Sequence, residues 1–216
     1  MPRPFLNDDE RALRRSQLLA AAHELFRSSR QLPSVAAIAQ AAGVAKGSVY
    51  LSFGSKEEIF IALLEDSFAS LLGIIVPGIR HLPADAAVAA ERFSSVYANA
   101  IAKMPDLLPL AGMTNAVLEK NLPVPVMLAF KGGLATGLGM AATALAESDL
   151  ALAQSQGVDL LLRTWSMTLG LWQALDIPKE LRAHVRRPPL DVFDRNFSAE
   201  LTQAVRAFWL GSLMRR

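Results

Sequence analysis

The sequence predicts an all-α fold, with a small N-terminal three-helix unit followed by a larger C-terminal helical domain. Three observations predict it. Apolar residues recur at i, i+3, i+4 and i+7 along most of the 216-residue chain, and no segment shows the strict alternation of a strand. Prolines divide the periodic segments of the C-terminal two-thirds from one another. Half of the chain, 52%, is hydrophobic and only 19% is charged, enough apolar surface for a generous core and for faces buried between subunits.

The elements follow in order. Residues 7–30 read as a helix whose apolar stripe is Leu13, Leu18, Ala21, Leu25 and Phe26, with arginines opposite. After Pro33, Ser34 is placed to cap a short helix to Ala41, with Val35, Ile38, Ala39 and Ala42 on one face. Gly43 suits the left-handed C′ position that ends it. A second short helix is predicted over 45–53. Ser55-Lys56-Glu57-Glu58 has the spacing of a capping box and opens a long helix to about Ile75, stopped by Pro77-Gly78. Further helices are predicted over 84–103, from Pro105 to about Lys120, from Pro123/Pro125 to Ala146, over 149–175, and over 198–214, with a loop at Arg187-Pro-Pro-Leu190. The domain boundary is expected inside the helix that begins at Ser55, giving domains 1–57 and 58–216 joined by a helix rather than a linker.

Composition excludes some chemistry. The chain has no cysteine, so it has neither a disulfide framework nor a cysteine zinc site. His23, His81 and His184 are far apart and share no metal-ligand spacing, so no metal and no cofactor is expected. The acidic run Asp8-Asp9-Glu10 precedes any apolar segment, unlike a secretion signal. The best membrane candidate, 124–146, is broken by Lys131. The remaining apolar piece, 132–146, is shorter than the ~20 residues a span needs and is read as a buried core helix. A cytoplasmic protein with no membrane partner is therefore expected. Net charge is +2, and residues 1–60, with eight basic and six acidic side chains, carry the whole excess. Affinity for phosphate must come from where those charges sit.

The densest cluster of unusual residues is Ala42 to Phe60. Two short helices joined by Ala42-Gly43-Val44 have the pattern of a helix-turn-helix, or of a plain corner in a helical bundle. Small Ala39 permits close approach of the two helices. Val44, Val49 and Phe53 fall on an inward face toward Leu25 and Ile38, which leaves Lys46, Gly47, Ser48 and Tyr50 outward. Lys46 offers a cation to phosphate or a donor to guanine, Ser48 and Tyr50 offer hydroxyls, and Gly47 permits close backbone approach. Lys56 lies at a helix N-terminus that already favours an anion, and Ser34 does so more weakly.

The stretch L-P-S-V-A-A-I-A-Q-A-A-G-V-A-K-G-S-V-Y-L-S-F-G-S-K-E-E-I-F resembles the DNA-binding domain of TetR-family (tetracycline-repressor-like) transcriptional regulators, from about Arg11 to Leu64. The resemblance implies a three-helix DNA-binding unit with residues 45–50 as recognition helix. It places Lys46, Gly47, Ser48 and Tyr50 at DNA and Lys56 at a phosphate. Four positions depart from the family pattern: Ala45 stands where a Ser or Thr cap is usual, Ala37 where an acidic residue is common, and Leu51-Ser52 where an aromatic and a His are common.

The resemblance further implies a C-terminal domain that binds a small effector and pairs two subunits. Apolar candidates for an effector pocket are Met104, Leu107, Leu110, Met113, Val117, Met127, Phe130, Met140, Trp165, Met167 and Trp172, with Tyr97, Asn99, Thr114, Asn115 and Arg163 as orienting polar groups. The two last long helices, about 149–175 and 198–214, carry the apolar and aromatic surface for a homodimer that reads a palindromic double-stranded operator. The expected function is a homodimeric repressor released from DNA by an apolar effector. The competing readings are a ligand-independent regulator or activator, and an α-helical bundle enzyme. No paired carboxylate-histidine set, G-x-S-x-G or phosphate-binding loop favours the enzyme, and no catalytic residue is assigned.

Overall fold

In the computed structural model the described residues are 8–114 and 119–214. They form helices α1 (Asp8–Ser29), α2 (Val35–Ala41), α3 (Lys46–Val49), α4 (Lys56–Arg80), α5 (Ala86–Ala102), α6 (Leu107–Gly112), α7 (Val124–Glu147), α8 (Gln154–Leu175) and α9 (Phe197–Leu213). Short 3₁₀ turns lie at Glu119–Asn121, Lys179–Leu181 and Leu190–Phe193. No strand occurs among the described residues, as the periodicity predicts. They pack as two compact units. One comprises residues up to Asp66 with those of 113–131, and the other 67–112 with 132–214.

The N-terminal unit has an apolar centre. Leu18, Ala22 and Phe26 of α1 are fully buried, with Ile38 and Ala39 of α2, Val49 of α3, and Ile59 and Phe60 of α4. Phe26 and Phe60 meet with ring centroids 5.9 Å apart. Leu13, expected on the buried stripe, is 60% exposed, and Ala22 rather than Ala21 faces the core.

The larger unit is held by α5, α8 and α9. Phe93 of α5 stacks on Trp209 of α9, centroids 3.6 Å apart and 14° from parallel, and also on Tyr97. Polar groups inside this stack are paired with one another. Thr164 Oγ1 donates to the Leu160 carbonyl and accepts from Trp209 Nε1–H at 2.9 Å. Thr168 Oγ1 donates to the Thr164 carbonyl, so the Tyr97 hydroxyl, 2.9 Å away, is the donor in their contact. Burial pushes the Tyr97 phenol well above its usual pKa, so it stays neutral. Glycines admit close helix approach at two places. A Cβ on Gly137 of α7 would lie 2.6 Å from Leu72 Cδ1 of α4, and one on Gly157 of α8 would lie 3.2 Å from Ala142 Cα of α7. Gly132, Gly133 and Gly139 of α7 face open space.

Several boundaries differ from expectation for physical reasons. α4 does not stop at Pro77 but runs to Arg80. Pro77 and Gly73, whose carbonyl it leaves without an intrahelical donor, lie on the solvent face, while Leu71, Ile75 and Ile79 continue the buried face across it. α8 begins at Gln154, not at 149, because Leu150 and Leu152 are both buried, and residues two apart cannot share one helix face. The chain turns there with Ala151 at φ 48°, and Ser148 Oγ accepts the Leu150 amide instead of capping a helix. The helix predicted from Pro105 is the short α6. The expected buried core helix over 132–146 is met in its C-terminal half, where Ala141, Ala142, Ala144 and Leu145 are buried, while residues 131–140 are largely exposed. By length and composition alone α4 and α7 are each apolar enough to cross a membrane.

Replacing Thr164 with Val keeps shape but leaves the Trp209 indole N–H buried without an acceptor. The expected loss is about 1–3 kcal/mol of unfolding free energy, measured by urea denaturation.

Candidate functional site

The helix-turn-helix expectation is met by local chemistry. Ser34 Oγ accepts the Ala37 amide at 3.2 Å and caps α2. At its other end the Gly43 amide bonds the Gln40 carbonyl and the Val44 amide bonds the Ala39 carbonyl, a Schellman closure with Gly43 at φ +67°. α2 thus stops within one residue and the chain turns into α3.

α3 itself is a single turn, shorter than the predicted 45–53. Its N-cap is Ala45, which makes no side-chain hydrogen bond. After Val49 the chain tightens, with the Ser52 and Phe53 amides both bonding the Val49 carbonyl. Val49 and Phe53 are buried, at 1% and 3% exposure. On the opposite side Lys46, Gly47 and Tyr50 are exposed and Ser48 is half-buried. Nothing lies within 4 Å of where a Gly47 side chain would begin. Lys46, Gly47 and Tyr50 therefore form the exposed side of the single turn and its C-cap, with half-buried Ser48 at its margin.

The next helix start is also built as the sequence suggests, with one difference. Ser55 Oγ accepts the Glu58 amide at 3.2 Å, but the Glu58 carboxylate reaches back to the Gly54 amide at 2.8 Å rather than to that of Ser55. Gly54 leaves room for it, since a Cβ there would lie 2.7 Å from Glu58 Oε1. Lys56, in the first turn of α4, lies 3.9 Å from Glu57 and remains partly exposed. Glu57 is itself buried, so the Lys56 ammonium is the solvent-facing member of the pair.

Sequence reasoning did not single out Arg15. Its guanidinium lies over the Phe53 ring, 4.3 Å from the centroid. Arg15 stands one turn before Leu18, on the α1 face that carries buried Leu18, Ala22 and Phe26, so its spacing places it at the edge of the core although its charge reads as solvent-facing.

The effector candidates are dispersed. Met104 and Trp172 line one small cavity of about 150 Å³, with Ala98, Ile101, Leu108 and Phe197 among its walls. Trp172 closes over Gly112, where a Cβ would lie 2.9 Å from its ring. Trp165 packs edge-on against Phe68, 4.8 Å between centroids. Leu107, Leu110 and Phe130 are buried, Met113, Met127 and Met167 half-buried, and Met140 is exposed. Arg163 is exposed, paired with Asp159 at 2.8 Å on its own helix, and lines neither cavity. Tyr97 is committed to Thr168, and Asn99 is exposed. Thr114 Oγ1 is buried without a hydrogen-bond partner among the described residues. Asn115 and Val117 lie outside the described residues. A more open cavity of about 400 Å³ between α4 and α5, with Ile75, His81, Arg92 and Val96 in its walls, contains none of the candidates.

Comparison with known proteins agrees with this geometry. Residues 18–63 match the family model for bacterial regulatory proteins of the tetR family, and residues 68–216 match the Tetracyclin repressor-like C-terminal domain. Among solved structures, the fatty acid degradation regulator FadR from Bacillus halodurans is similar with a TM-score of 0.57 and 16% identity, over 92% of this chain and 95% of that one. The TetR family transcriptional regulator PfmR from Thermus thermophilus gives 0.53 and 19%, over 89% and 96%. FadR from Bacillus subtilis, in complex with stearoyl-CoA, gives 0.52 and 17%, over 91% and 98%. No curated protein matches the sequence.

Two substitutions check the local reading. Gly43→Ala places a Cβ at positive φ and is expected to lower stability by about 1 kcal/mol, read as a fall in melting temperature. Ala45→Ser supplies the missing cap of α3 and is expected to raise it, by up to about 1 kcal/mol in unfolding free energy.

Proposed function

Because this chain belongs to the TetR family of bacterial regulatory proteins and is a DNA-binding transcription regulator, we propose that it acts as a homodimeric, effector-released repressor. Residues 1–57 read the operator, and 58–216 bind the effector and pair the subunits. The observation that carries the reading is the two-sidedness of α3: Val49 and Phe53 are buried while Lys46, Gly47 and Tyr50 project into solvent.

In this mechanism α3 enters the major groove. Lys46 meets a guanine edge or a phosphate, and Ser48 and Tyr50 donate to the backbone. Open Gly47 lets the main chain approach the duplex. Lys56 and the free amides of α4, with Ser34 at the start of α2, lie against phosphates. One protomer covers one half-site, so a palindromic operator requires a dimer with half-sites about 34 Å apart.

The dimer face is assigned to α8 and α9. Leu162, Ser166, Leu169 and Gln173 form one outward stripe, and Gln203, Ala207, Leu210 and Met214 another. Both repeat with 4-3-4 spacing, and Leu162 and Met214 are 50% and 71% exposed in the single chain. Apolar side chains at that spacing suit a four-helix contact with a second copy.

The effector is an apolar molecule bound in the C-terminal domain, and it releases DNA by favouring a state with a different half-site spacing. Stearoyl-CoA, present in the B. subtilis FadR structure, is the first probe of choice. A DNA-bound role places the protein in the cytoplasm, and no catalytic activity is proposed. The second reading, a regulator without an effector, is favoured by the close packing of α7 against α4 at Gly137 and against α8 at Gly157, which leaves no space there for a ligand.

Selection from a random duplex library followed by gel shift tests the DNA reading; failure to enrich any sequence would sink it. On the selected duplex, Lys46→Ala is expected to reduce the slope of log K against log salt by about 1 per protomer. Gly47→Ala is expected to stabilise the fold by up to about 1 kcal/mol while weakening duplex binding. A thermal-shift titration with stearoyl-CoA separates the two effector readings, since a ligand selective for the native state raises the melting temperature.

A further inference from the structure

A one-turn helix cannot hold itself in place. Nucleating a single turn is unfavourable, and α3 also lacks a side-chain cap at its N-terminus. Its orientation must be imposed from its C-terminal side, where Val49 and Phe53 enter the core and the Phe53 amide closes on the Val49 carbonyl at 3.0 Å. The inner side of Phe53 is packed. Its ring is also met by the Arg15 guanidinium, 4.3 Å from the centroid, a cation over an aromatic face. Arg15 comes from α1, and its charge is also felt by Glu65 on α4. Burial pushes the Glu65 carboxyl above its ordinary pKa, the Arg15 charge pulls it back, and Asp66 pushes it up again.

The geometry points to Arg15 as a positioning residue for DNA recognition: it sets α3 by clamping Phe53 and does not touch the duplex itself. This rests on α3 as the base-reading helix. A guanidinium suits the task because its planar face stacks on the ring while its edge stays hydrated, and Glu65 favours the orientation electrostatically. The clamp holds the turn that follows α3, so its loss lets α3 pivot without opening the core beneath Val49.

Two measurements test it. The first needs no DNA: amide hydrogen exchange of the intact chain carrying Arg15→Gln. The Ser52 and Phe53 amides, which bond the Val49 carbonyl, are expected to exchange roughly three- to fivefold faster, the factor a single exposed cation–π contact is worth. The Ile38 and Ala42 amides of α2 are expected to be unchanged, and Arg15→Lys restores most of the protection. Equal acceleration at all four amides, or none, overturns the clamp. The second uses the duplex selected by the unaltered chain. Arg15→Gln is expected to weaken binding by the same roughly three- to fivefold, with the salt slope unchanged. Phe53→Leu has a similar effect, and the double variant is no weaker than the weaker single variant. A salt slope lower by about 1 makes Arg15 a phosphate ligand and overturns the proposal, as does an additive double variant. If no duplex is selected, the DNA reading fails while the exchange experiment still decides the clamp.

Discussion

The N-terminal unit depends on one constraint: a helix of a single turn, α3, has to be given its place by apolar burial around it. Leu18 and Phe26 of α1, Ile38 of α2 and Phe60 of α4 are buried in the same unit as Val49 and Phe53, and Phe26 meets Phe60. None of these contacts is directional, yet together they fix which side of α3 faces out. Close packing makes the choice sharp, because a rotated α3 would bring Lys46 or Tyr50 into a core without polar partners. The caps at Ser34, Gly43 and Ser55 fix where each neighbouring helix starts or stops. Burial sets the orientation and the caps set the register.

Much of this was legible in the sequence because it is written in local chemistry. A serine before a short apolar period, a glycine at its end, and Ser55 three residues before Glu58 each act within one turn of chain, and each appears where expected. The inward pair Val49 and Phe53 is legible for the same reason. What was not legible depends on partners distant in sequence. Pro77 reads as a stop, but the buried faces on either side of it carry the helix through. Ser148-Asp149 reads as a start, but the separate burial of Leu150 and Leu152 delays it to Gln154. The apolar run of α7 reads as core, yet the chain buries only its C-terminal half and leaves residues 131–140 largely exposed. The Arg15 contact with Phe53 spans 38 positions: the spacing before Leu18 marks the face Arg15 lies on, but nothing local marks its partner.

The C-terminal unit poses a different limit. In an all-helical domain a leucine or methionine facing inward looks the same whether it touches another side chain or a ligand. Polar groups discriminate better, and here the structure speaks clearly. Tyr97 is satisfied by Thr168, Trp209 by Thr164, and Arg163 by Asp159 at the surface. The Thr164/Thr168 pair ties α5 and α9 to α8 through neutral hydrogen bonds, whose strength is insensitive to salt. That triangle carries the two outward stripes of α8 and α9, so the spacing between them is set inside the single chain.

The placement of the aromatic chromophores has a practical consequence. All three tryptophans, Trp165, Trp172 and Trp209, lie on α8 and α9, while the only other phenol besides Tyr97 is Tyr50 at the outward face of α3. The two units thus carry different natural dyes. Indole emission reports on the C-terminal unit alone, and Trp172, half-buried at the small cavity, is the indole placed to sense a guest there. The N-terminal unit is dark under indole excitation. Indole emission therefore follows the second unit without any attached probe, and the Tyr50 phenol is the corresponding chromophore of the first.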